Sequence, residues 1–441
     1  MVGAELFNQP VDRLAMPVRD TFGLVPLWTE IGLYLVFAPF AVVFAVGLWR
    51  RLSGFRLGHI IADSSGGIAG ALGRFGRYAL LQRRVPRRPR GLPHLGIFYG
   101  FLALLAATTI VAIDWDITRP FGFRVLEGMR YLYFETFADA FGLLFVIGLT
   151  GALIWRLVRL RHAGPDQRRV QYQFIILICG LLYLGLTGFV LEALRLIIHP
   201  VAWAGWSFIG VQLVPLLVAA GIEPIAPTFY LVLWWTHAFV AFGLIASLPY
   251  TTFLHSVAAP LNLMAQPGQP RKEMSTPFDL RQLMETGEFD VKVGAVSISD
   301  LEPGLRFALE ACTNCGRCDE VCPAKAMGTA LSPRRLVQSL RARLLAGETS
   351  EDVLAAGVVT EGELWACTTC AACVEACPVF IRPVDYITPF RRELVAKQIL
   401  DKRQTEFFTN LGLSNNPFGQ PADQRNQLAA ELRIAAGSSE E

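Results

Sequence analysis

Eight of the nine cysteines lie in two short runs that share one spacing. Residues 312–323 read CTNCGRCDEVCP, and residues 367–378 read CTTCAACVEACP. Both follow the pattern C-x2-C-x2-C-x3-C-P, which is typical of chains that ligate two [4Fe–4S] clusters through cysteine thiolates. Three closely spaced cysteines bind three irons of one cluster, whereas the fourth cysteine of each run reaches the other cluster. The spacing therefore predicts two [4Fe–4S] clusters, each bound by cysteines from both runs.

The predicted ligands are eight thiolates, four for each cluster. We name the sites cluster A, with Cys312, Cys315, Cys318 and Cys377, and cluster B, with Cys367, Cys370, Cys373 and Cys322. Structural zinc and disulfide bonds are the two other interpretations. Zinc sites usually pair two C-x2-C dyads, and disulfides suit short secreted domains, so both fit this pattern less well. The ninth cysteine, Cys179, lies in an apolar run and is expected to be a buried, inert thiol.

Two histidines lie at the ends of apolar runs that are long enough to cross a membrane. His94 precedes the run at 95–114, and His255 closes the run at 228–253. Ionisable groups within membrane spans are uncommon and often functional. We expect both histidines at one depth near the same membrane face, where two imidazoles from two helices can bind a haem b. The other interpretation is a pair of interfacial histidines without a cofactor.

A third histidine raises the question of a second haem. His237 lies 18 residues before His255, which corresponds to about 27 Å along a helix. On one continuous helix the two imidazoles would share a face but lie at opposite depths. A second haem at the depth of His237 would need a histidine at position 104, where the sequence has leucine. We therefore expect one haem b, and a second only if His237 has another partner.

Four charged residues lie within the third and fourth apolar runs, on the side opposite His94. Glu135 and Asp139 are four residues apart, and Glu192 and Arg195 are three apart, so each pair shares a helix face. Such groups could donate hydrogen bonds and carry protons at a quinone site. A buried charge pair that holds the helices together is the other interpretation.

The composition indicates a membrane half followed by a half outside the membrane. Of the 441 residues, 53% are hydrophobic and only 17% are charged, whereas soluble proteins have about 25% charged residues. Apolar runs that can span a bilayer as helices occur at 30–49, 95–114, 133–155, 173–198 and 228–253. The net charge of +3 and the absence of a basic cluster in the second half give no indication of nucleic-acid binding.

The arginines predict the orientation in the membrane. Ten arginines and one acid lie between Arg50 and Arg90, whereas residues 199–227 contain no Lys or Arg. Since basic loops remain in the cytoplasm, five spans place residues from 256 onward in the cytoplasm. The segment at 203–222 is also apolar, and a sixth span there would reverse this result. Its tryptophans and Pro215 favour an interfacial or re-entrant segment.

We therefore predict an all-α protein, with a five-helix transmembrane cytochrome b bundle and a cytoplasmic α-helical dicluster ferredoxin domain. Ser332 and Pro333 predict a helix start between the two cysteine runs. The predicted organisation is an N-terminal extracytoplasmic segment at 1–29, a transmembrane haem b domain at 30–255, a linker at 256–304, a two-cluster domain at 305–398 and a tail at 399–441 that could dock a partner.

Both halves resemble known families. The motifs ACTNCGRCDEVCPA and WACTTCAACVEACPV resemble the helical ferredoxin domain of heterodisulfide reductase subunits. The membrane half is similar to the cytochrome b (gamma) subunit of respiratory nitrate reductase, through His94 in HLGIFYGF and through His237 and His255. In that family four histidines bind two haems. The resemblance assigns His94 and His255 to the haem nearer the cytoplasm and His237 to the outer haem, whose second ligand position is Leu104 in this chain.

The order of the two halves is similar to that in membrane-bound oxidoreductases that carry electrons from electron-transfer flavoprotein to menaquinone. The resemblance implies an electron-transfer subunit of the inner membrane that links a cytoplasmic redox partner to the quinone pool. Related fusions continue into cysteine-rich CCG domains, whereas no cysteine follows Cys377. A CCG-domain protein or an electron-transfer flavoprotein is therefore an expected partner. The alternatives are a haem-free, membrane-anchored ferredoxin module and an iron–sulfur redox sensor.

Overall fold

The protein is built from α-helices. The computed structural model describes residues 16–431, apart from 20, 63, 65, 162–164, 267–279, 288–291, 401, 421–422, 425 and 428–429. Among these described residues there is no β-strand, and an isolated bridge joins Val18 to Glu127. The chain divides into two compact units: the first ends at Met264, and the second comprises the residues from Ala265 onward together with the short stretch Asp63–Gly67.

The first unit contains long apolar helices joined by short turns. Its α-helices are α1 (Leu27–Leu52), α2 (Leu57–Ala62), α3 (Gly67–Arg74), α4 (Leu92–Ala112), α5 (Gly128–Arg161), α6 (Pro165–Ile198), α7 (Gly210–Ala219), α8 (Ala226–Ser247) and α9 (His255–Met264). Five helical segments of the described chain are long and apolar enough to cross a membrane, which confirms the predicted number. They are Trp28–Phe55, Leu92–Phe121, Gly128–Arg161, Val170–Ile198 and Glu223–Tyr250.

The apolar segment at 203–222 does not form a sixth span. Only Gly210–Ala219 is α-helical in this stretch, and ten residues of helix are about 15 Å long. A membrane core of about 30 Å needs about 20 helical residues. The number of candidate spans therefore stays at five, as the sequence predicted.

Close packing between α4 and α5 holds the second span, which begins beside His94. A Cβ on Gly100 would lie 2.6 Å from the Cβ of Phe145, and a Cβ on Gly148 would lie 2.8 Å from the backbone nitrogen of Ile97. Both glycines therefore allow the two backbones to approach, as small residues commonly do in membrane helix pairs.

The fifth span does not continue to His255, which corrects the prediction of one helix that carries His237 and His255. Helix α8 ends at Ser247, and two 3-10 turns follow at Leu248–Tyr250 and Thr252–Leu254. Pro249 has no backbone N–H to donate, and Thr251 is fully extended. His255 begins the separate helix α9. The register of His237 therefore does not determine the direction of the His255 side chain.

The second unit is a group of short helices around a continuous core. Its α-helices are α10 (Leu280–Thr286), α11 (Pro303–Glu310), α12 (Arg317–Glu320), α13 (Pro323–Ala326), α14 (Pro333–Ala346), α15 (Glu361–Trp365), α16 (Ala372–Ala376), α17 (Pro383–Ala396) and α18 (Lys402–Ser414). Helix α14 begins as predicted, because the Ser332 hydroxyl accepts a hydrogen bond from the Arg335 N–H at 3.1 Å. Leu336, Leu340, Phe390 and Leu394 from α14 and α17 belong to one buried core.

Both ends of the stretch at 256–304 contain ordered structure. Helix α9 belongs to the first unit, which extends to Met264. Ala295, Ile298 and Leu301 are buried in the core of the second unit.

The environment of Cys179 differs from the expected buried one, because its side chain is exposed on α6. In a membrane helix such a surface faces lipid or another subunit, where an apolar thiol is tolerated.

We expect Gly100→Ala to destabilise the first unit. The added methyl group overlaps Phe145, and overpacking of this kind costs about 1–3 kcal/mol. The measurement is the apparent Tm of the purified protein in detergent. Gly243→Ala on α8 is the matched control, because a Cβ there meets no atom within 4 Å. Equal effects of the two substitutions would contradict close α4–α5 packing at Gly100.

Candidate functional site

The first cavity of the second unit brings together cysteines from both sequence runs. All four cluster A residues, Cys312, Cys315, Cys318 and Cys377, line it. Cys373 also borders this cavity, but the thiols that act electrostatically on Cys373 are Cys367, Cys322 and Cys370. The fold therefore places the last cysteine of the second run beside the three close cysteines of the first run.

The second cavity shows the reciprocal arrangement. It is lined by the four cluster B residues, Cys322, Cys367, Cys370 and Cys373, together with apolar side chains such as Leu331 and Ile387. The proline after each fourth cysteine follows a turn in the chain, and Pro323 begins α13 directly after Cys322. The two cavity linings support the crossed ligand sets that the spacing predicts.

Left-handed residues shape both cysteine loops in the same way. Asn314 and Gly316 in the first loop, and Thr369 and Ala371 in the second, have φ values between 54° and 82°. Glycine adopts this conformation at little cost, whereas other residues are strained in it. The turn directs a backbone N–H back to the first cysteine of each loop: Asn314 donates to Cys312, and Thr369 donates to the Sγ of Cys367 at 3.4 Å.

The thiol chemistry fits a cluster better than a single ion or a disulfide. None of the nine cysteines forms a disulfide. Burial, together with the negative charge of nearby thiolates, raises the pKa of Cys373 and Cys377 to about 12. These thiols would be neutral at pH 7 unless a metal centre stabilised the thiolates. Each set of four cysteines lines a cavity.

The two cavities differ in their access to solvent. Cys370 of cluster B is exposed, as are the adjacent Thr368 and Thr369. The four cluster A cysteines are all half-buried. The B cavity therefore reaches the domain surface through one of its own cysteines.

In the first unit the structure brings His94 and His255 together. Their ring centroids are 6.5 Å apart, and the ring planes are inclined by 55°. The Nδ1 of His255 lies 2.6 Å from the carbonyl oxygen of Thr252. Because a carbonyl only accepts hydrogen bonds, Nδ1 carries a proton, and in the neutral imidazole the lone pair then lies on Nε2. This arrangement orients the imidazole as in metal-ligating histidines.

His237 has a similar hydrogen bond, and among the described residues no ring contact joins it to another imidazole. Its Nδ1 lies 2.8 Å from the hydroxyl of Thr187, which itself donates to the carbonyl of Tyr183. The Thr187 oxygen therefore accepts from Nδ1–H, and Nε2 carries the lone pair. Leu104, at the position of the missing histidine, packs on the apolar cluster around Phe145.

The four charged residues of the third and fourth spans meet in one buried network. The Arg195 guanidinium donates to the Glu135 carboxylate at 2.6 Å and to the Tyr131 hydroxyl at 2.8 Å. Ser207, from the segment before α7, donates to the other Glu135 oxygen at 2.8 Å. Glu135 is 3% exposed, and the Tyr131 hydroxyl also donates to its carboxylate, so several protein groups compensate its buried charge. Sequence reasoning missed Tyr131 and Ser207, because neither differs in its local pattern from an ordinary packing residue.

Asp139 on α5 and Glu192 on α6 meet beside the start of α7. Asp139, 3% exposed, accepts the Ile209 N–H at 2.7 Å and the Gly210 N–H, and its side chain hydrogen-bonds the Glu192 side chain. The two carboxyl groups thus meet at the Ile209–Gly210 backbone. A Cβ on Gly210 would lie 2.7 Å from a Glu192 oxygen, so glycine leaves the space that Glu192 occupies.

Comparison with known proteins adds the family of the cluster region. Residues 311–381 match the 4Fe-4S dicluster domain family. The chain is 28% identical over 452 aligned residues to the EtfAB:quinone oxidoreductase of Syntrophomonas wolfei, an alignment that covers 92% of this chain and 60% of that protein. The chain thus spans less than two thirds of that relative. No solved structure matches it.

Shorter alignments join parts of the chain to heterodisulfide reductases. One relative is a subunit of the dihydromethanophenazine:CoB–CoM heterodisulfide reductase of Methanosarcina acetivorans, which is 29% identical over 197 residues, 43% of this chain and 64% of that protein. Another is an iron-sulfur subunit of the CoB–CoM heterodisulfide reductase of Methanopyrus kandleri, which is 36% identical over 92 residues, 21% of this chain and 42% of that protein. Together with the five apolar helices, these relatives support a membrane-associated iron–sulfur electron-transfer protein.

Pairs of cysteine substitutions test the crossed ligand sets. If Cys322 ligates cluster B, Cys322→Ser combined with Cys367→Ser removes one cluster and leaves about four non-haem irons per chain. Cys322→Ser combined with Cys312→Ser then removes both clusters. The measurement is non-haem iron per chain after anaerobic purification. The reverse result, with both clusters lost only in the first pair, would show that each run binds its own cluster.

Proposed function

We propose that this protein is the membrane electron-transfer subunit of a quinone-linked oxidoreductase. The observation that carries the proposal is the pair of cysteine-lined cavities in a chain that also has five apolar helices of membrane-spanning length. The similarity to a relative named EtfAB:quinone oxidoreductase favours a quinone as the membrane substrate. Electrons pass between a cytoplasmic redox partner and the quinone pool through clusters A and B and a haem b.

His94 and His255 are the residues that would hold the haem in this proposal. A bond between a metal and an imidazole nitrogen is about 2 Å long, so an iron between two imidazoles separates the ring centroids by about 6 Å. The observed 6.5 Å fits this spacing, and the His255 Nε2 carries the lone pair that ligation needs. When bound, haem b takes up and releases one electron at its iron. These histidines set its position and orientation.

One haem b, held by His94 and His255, is the number that we propose for the bundle. Position 104 carries an apolar side chain within a packed cluster, so His237 lacks the ligand that the nitrate reductase gamma resemblance would pair with it. His237 instead presents a basic Nε2 within the fifth span. This nitrogen could accept a hydrogen bond from a quinol hydroxyl.

The polar network around Glu135 and Asp139 is the proposed quinone site. Glu135 and Arg195 form an ion pair at 2.6 Å, while Asp139 and Glu192 share a proton. Quinone reduction consumes protons as well as electrons, and a protonated carboxyl group next to a backbone-stabilised carboxylate can supply one. The same hydrogen bonds hold the segment at 206–210 against α5, so the network also has a structural role.

The proposed location is the inner membrane with the second unit in the cytoplasm. Ten arginines between Arg50 and Arg90, and none between 199 and 227, support this orientation. Cluster B is the proposed contact for the partner, because Cys370 lies at the domain surface. A CCG-domain protein or an electron-transfer flavoprotein is the class of partner that we propose.

The haem assignment is tested with His255→Ala and His94→Ala. Each substitution removes one axial ligand, and we expect the b-type haem bands of the reduced protein to be lost while about eight non-haem irons remain. A pyridine haemochrome assay with parallel iron quantitation provides both values. His237→Ala is the control and keeps the haem.

Unchanged haem absorbance in the His255→Ala variant would contradict the assignment of His255 to the haem. Purified wild-type protein with clusters but no haem would favour a membrane-anchored ferredoxin module. Fully loaded protein that transfers no electrons to a quinone analogue would favour a redox sensor.

The quinone site is tested with Glu192→Gln. Glutamine keeps the shape of the glutamate side chain and can still donate a hydrogen bond to Asp139. Because glutamine cannot release a proton, we expect turnover with a soluble quinone analogue to fall by about 100-fold. Haem and iron contents stay unchanged. Asp116→Asn is the matched control, since Asp116 is an exposed acid on the second span that bonds Tyr34 instead of the network. A lower Tm with unchanged kcat and KM would assign Glu192 a structural role only.

A further inference from the structure

The two cluster sites are built on matching helices. Helices α14 and α17 each begin with a proline, Pro333 and Pro383, and each carries an arginine eight positions later, Arg341 and Arg391. The positive charge of Arg341 acts on Cys312, and that of Arg391 acts on Cys367. The backbone donors are matched as well, because Asn314 donates to Cys312 and Thr369 donates to Cys367.

One side-chain donor breaks this match. The Nε2 of Gln338, five residues after Pro333, donates to the Sγ of Cys312 at 3.0 Å. The equivalent residue on α17 is Thr388, whose hydroxyl donates to the carbonyl of Val384 at 3.0 Å. A threonine has a single hydrogen to donate, so Thr388 cannot give Cys367 the bond that Gln338 gives Cys312.

A donor to a ligating sulfur changes the electron affinity of the cluster. Reduction adds one negative charge to the cluster and its thiolates, and an N–H aimed at a sulfur stabilises that charge. Hydrogen bonds to sulfur and solvent exposure are two of the factors that set cluster potentials. Burial of the Cys312 sulfur acts in the opposite direction, because it disfavours negative charge.

We propose that Gln338 tunes cluster A, and that its amide raises the reduction potential of this cluster relative to cluster B. The contact offsets part of the penalty that burial places on the reduced state. Gln338 thereby adds an electronic difference to the difference in solvent access between the two sites. The inference deepens the proposed function and rests on its cluster A assignment, but not on the haem or on the quinone.

The test is a redox titration of both clusters, followed by EPR, in the full-length protein. Gln338→Met keeps the length of the side chain and removes the donor. We expect the equilibrium between the oxidised and reduced forms of cluster A to shift by up to tenfold towards the oxidised form, and a tenfold shift corresponds to 59 mV for one electron. Gln338→Glu places a carboxylate at the sulfur and lowers the potential further. The potential of cluster B stays unchanged in both variants.

Thr388→Val is the matched control on α17, and we expect it to leave both potentials unchanged. Cys315→Ser and Cys370→Ser assign the EPR signals, because each substitution removes one ligand of one cluster. Iron quantitation separates the outcomes: too little iron in the wild-type protein would refute the cluster assignment itself. Full iron with an unshifted cluster A, or with equal shifts of both clusters, would overturn the role of Gln338.

A second measurement covers the case in which the Gln338 variants do not assemble clusters. Wild-type protein is labelled with 15N in its glutamine side chains, and the reduced clusters are studied by pulsed EPR. We expect a 15N coupling on the cluster A signal and none on the cluster B signal. Absence of this coupling would overturn the proposal independently of any variant.

Discussion

The second unit depends on the burial of sulfur ligands that come from distant parts of the chain. Each cavity is lined by three cysteines of one run and the last cysteine of the other. Burial raises the pKa of several of these thiols, Cys373 and Cys377 among them, so their negative form is unfavourable without a metal centre to stabilise it. Metal binding and closure of the domain are therefore expected to be coupled. The surrounding core includes Leu336, Tyr386 and Phe390. It packs around both cysteine runs, whose equivalent cysteines are 55 positions apart in the sequence.

A different constraint governs the first unit. Charged groups within a membrane span are costly unless they are compensated locally. Glu135, Asp139, Glu192 and Arg195 meet this constraint by bonding one another and the backbone at the start of α7. The short segment at 203–222 is thereby fastened to the helices, although it is too short to span. The groups that carry protons in our proposal are thus the same groups that hold this segment in place.

Much of the site was predictable because its determinants are local. The cysteine spacing predicted which cysteines line each cavity, and the apolar runs predicted five spans, since ligand geometry and helix length depend on a few consecutive residues. Regular helix geometry also placed Glu135 with Asp139 and Glu192 with Arg195. The prediction was wrong where regularity ended: Pro249 and the extended Thr251 break the helix between His237 and His255. The buried environment predicted for Cys179 was wrong as well, because apolar sequence does not distinguish a lipid-facing surface from a core.

The sequence by itself determined the classes of chemistry in this protein: two sets of thiolates, imidazoles beside apolar spans, and carboxyl groups within them. Only the tertiary structure decided which of these groups meet. The 6.5 Å approach of His94 and His255, the meeting of Asp139 and Glu192 at the start of α7, and the Gln338 bond to Cys312 all join segments that are far apart along the chain. Such contacts depend on helix packing and on small residues such as Gly100 and Gly210, which no local periodicity encodes.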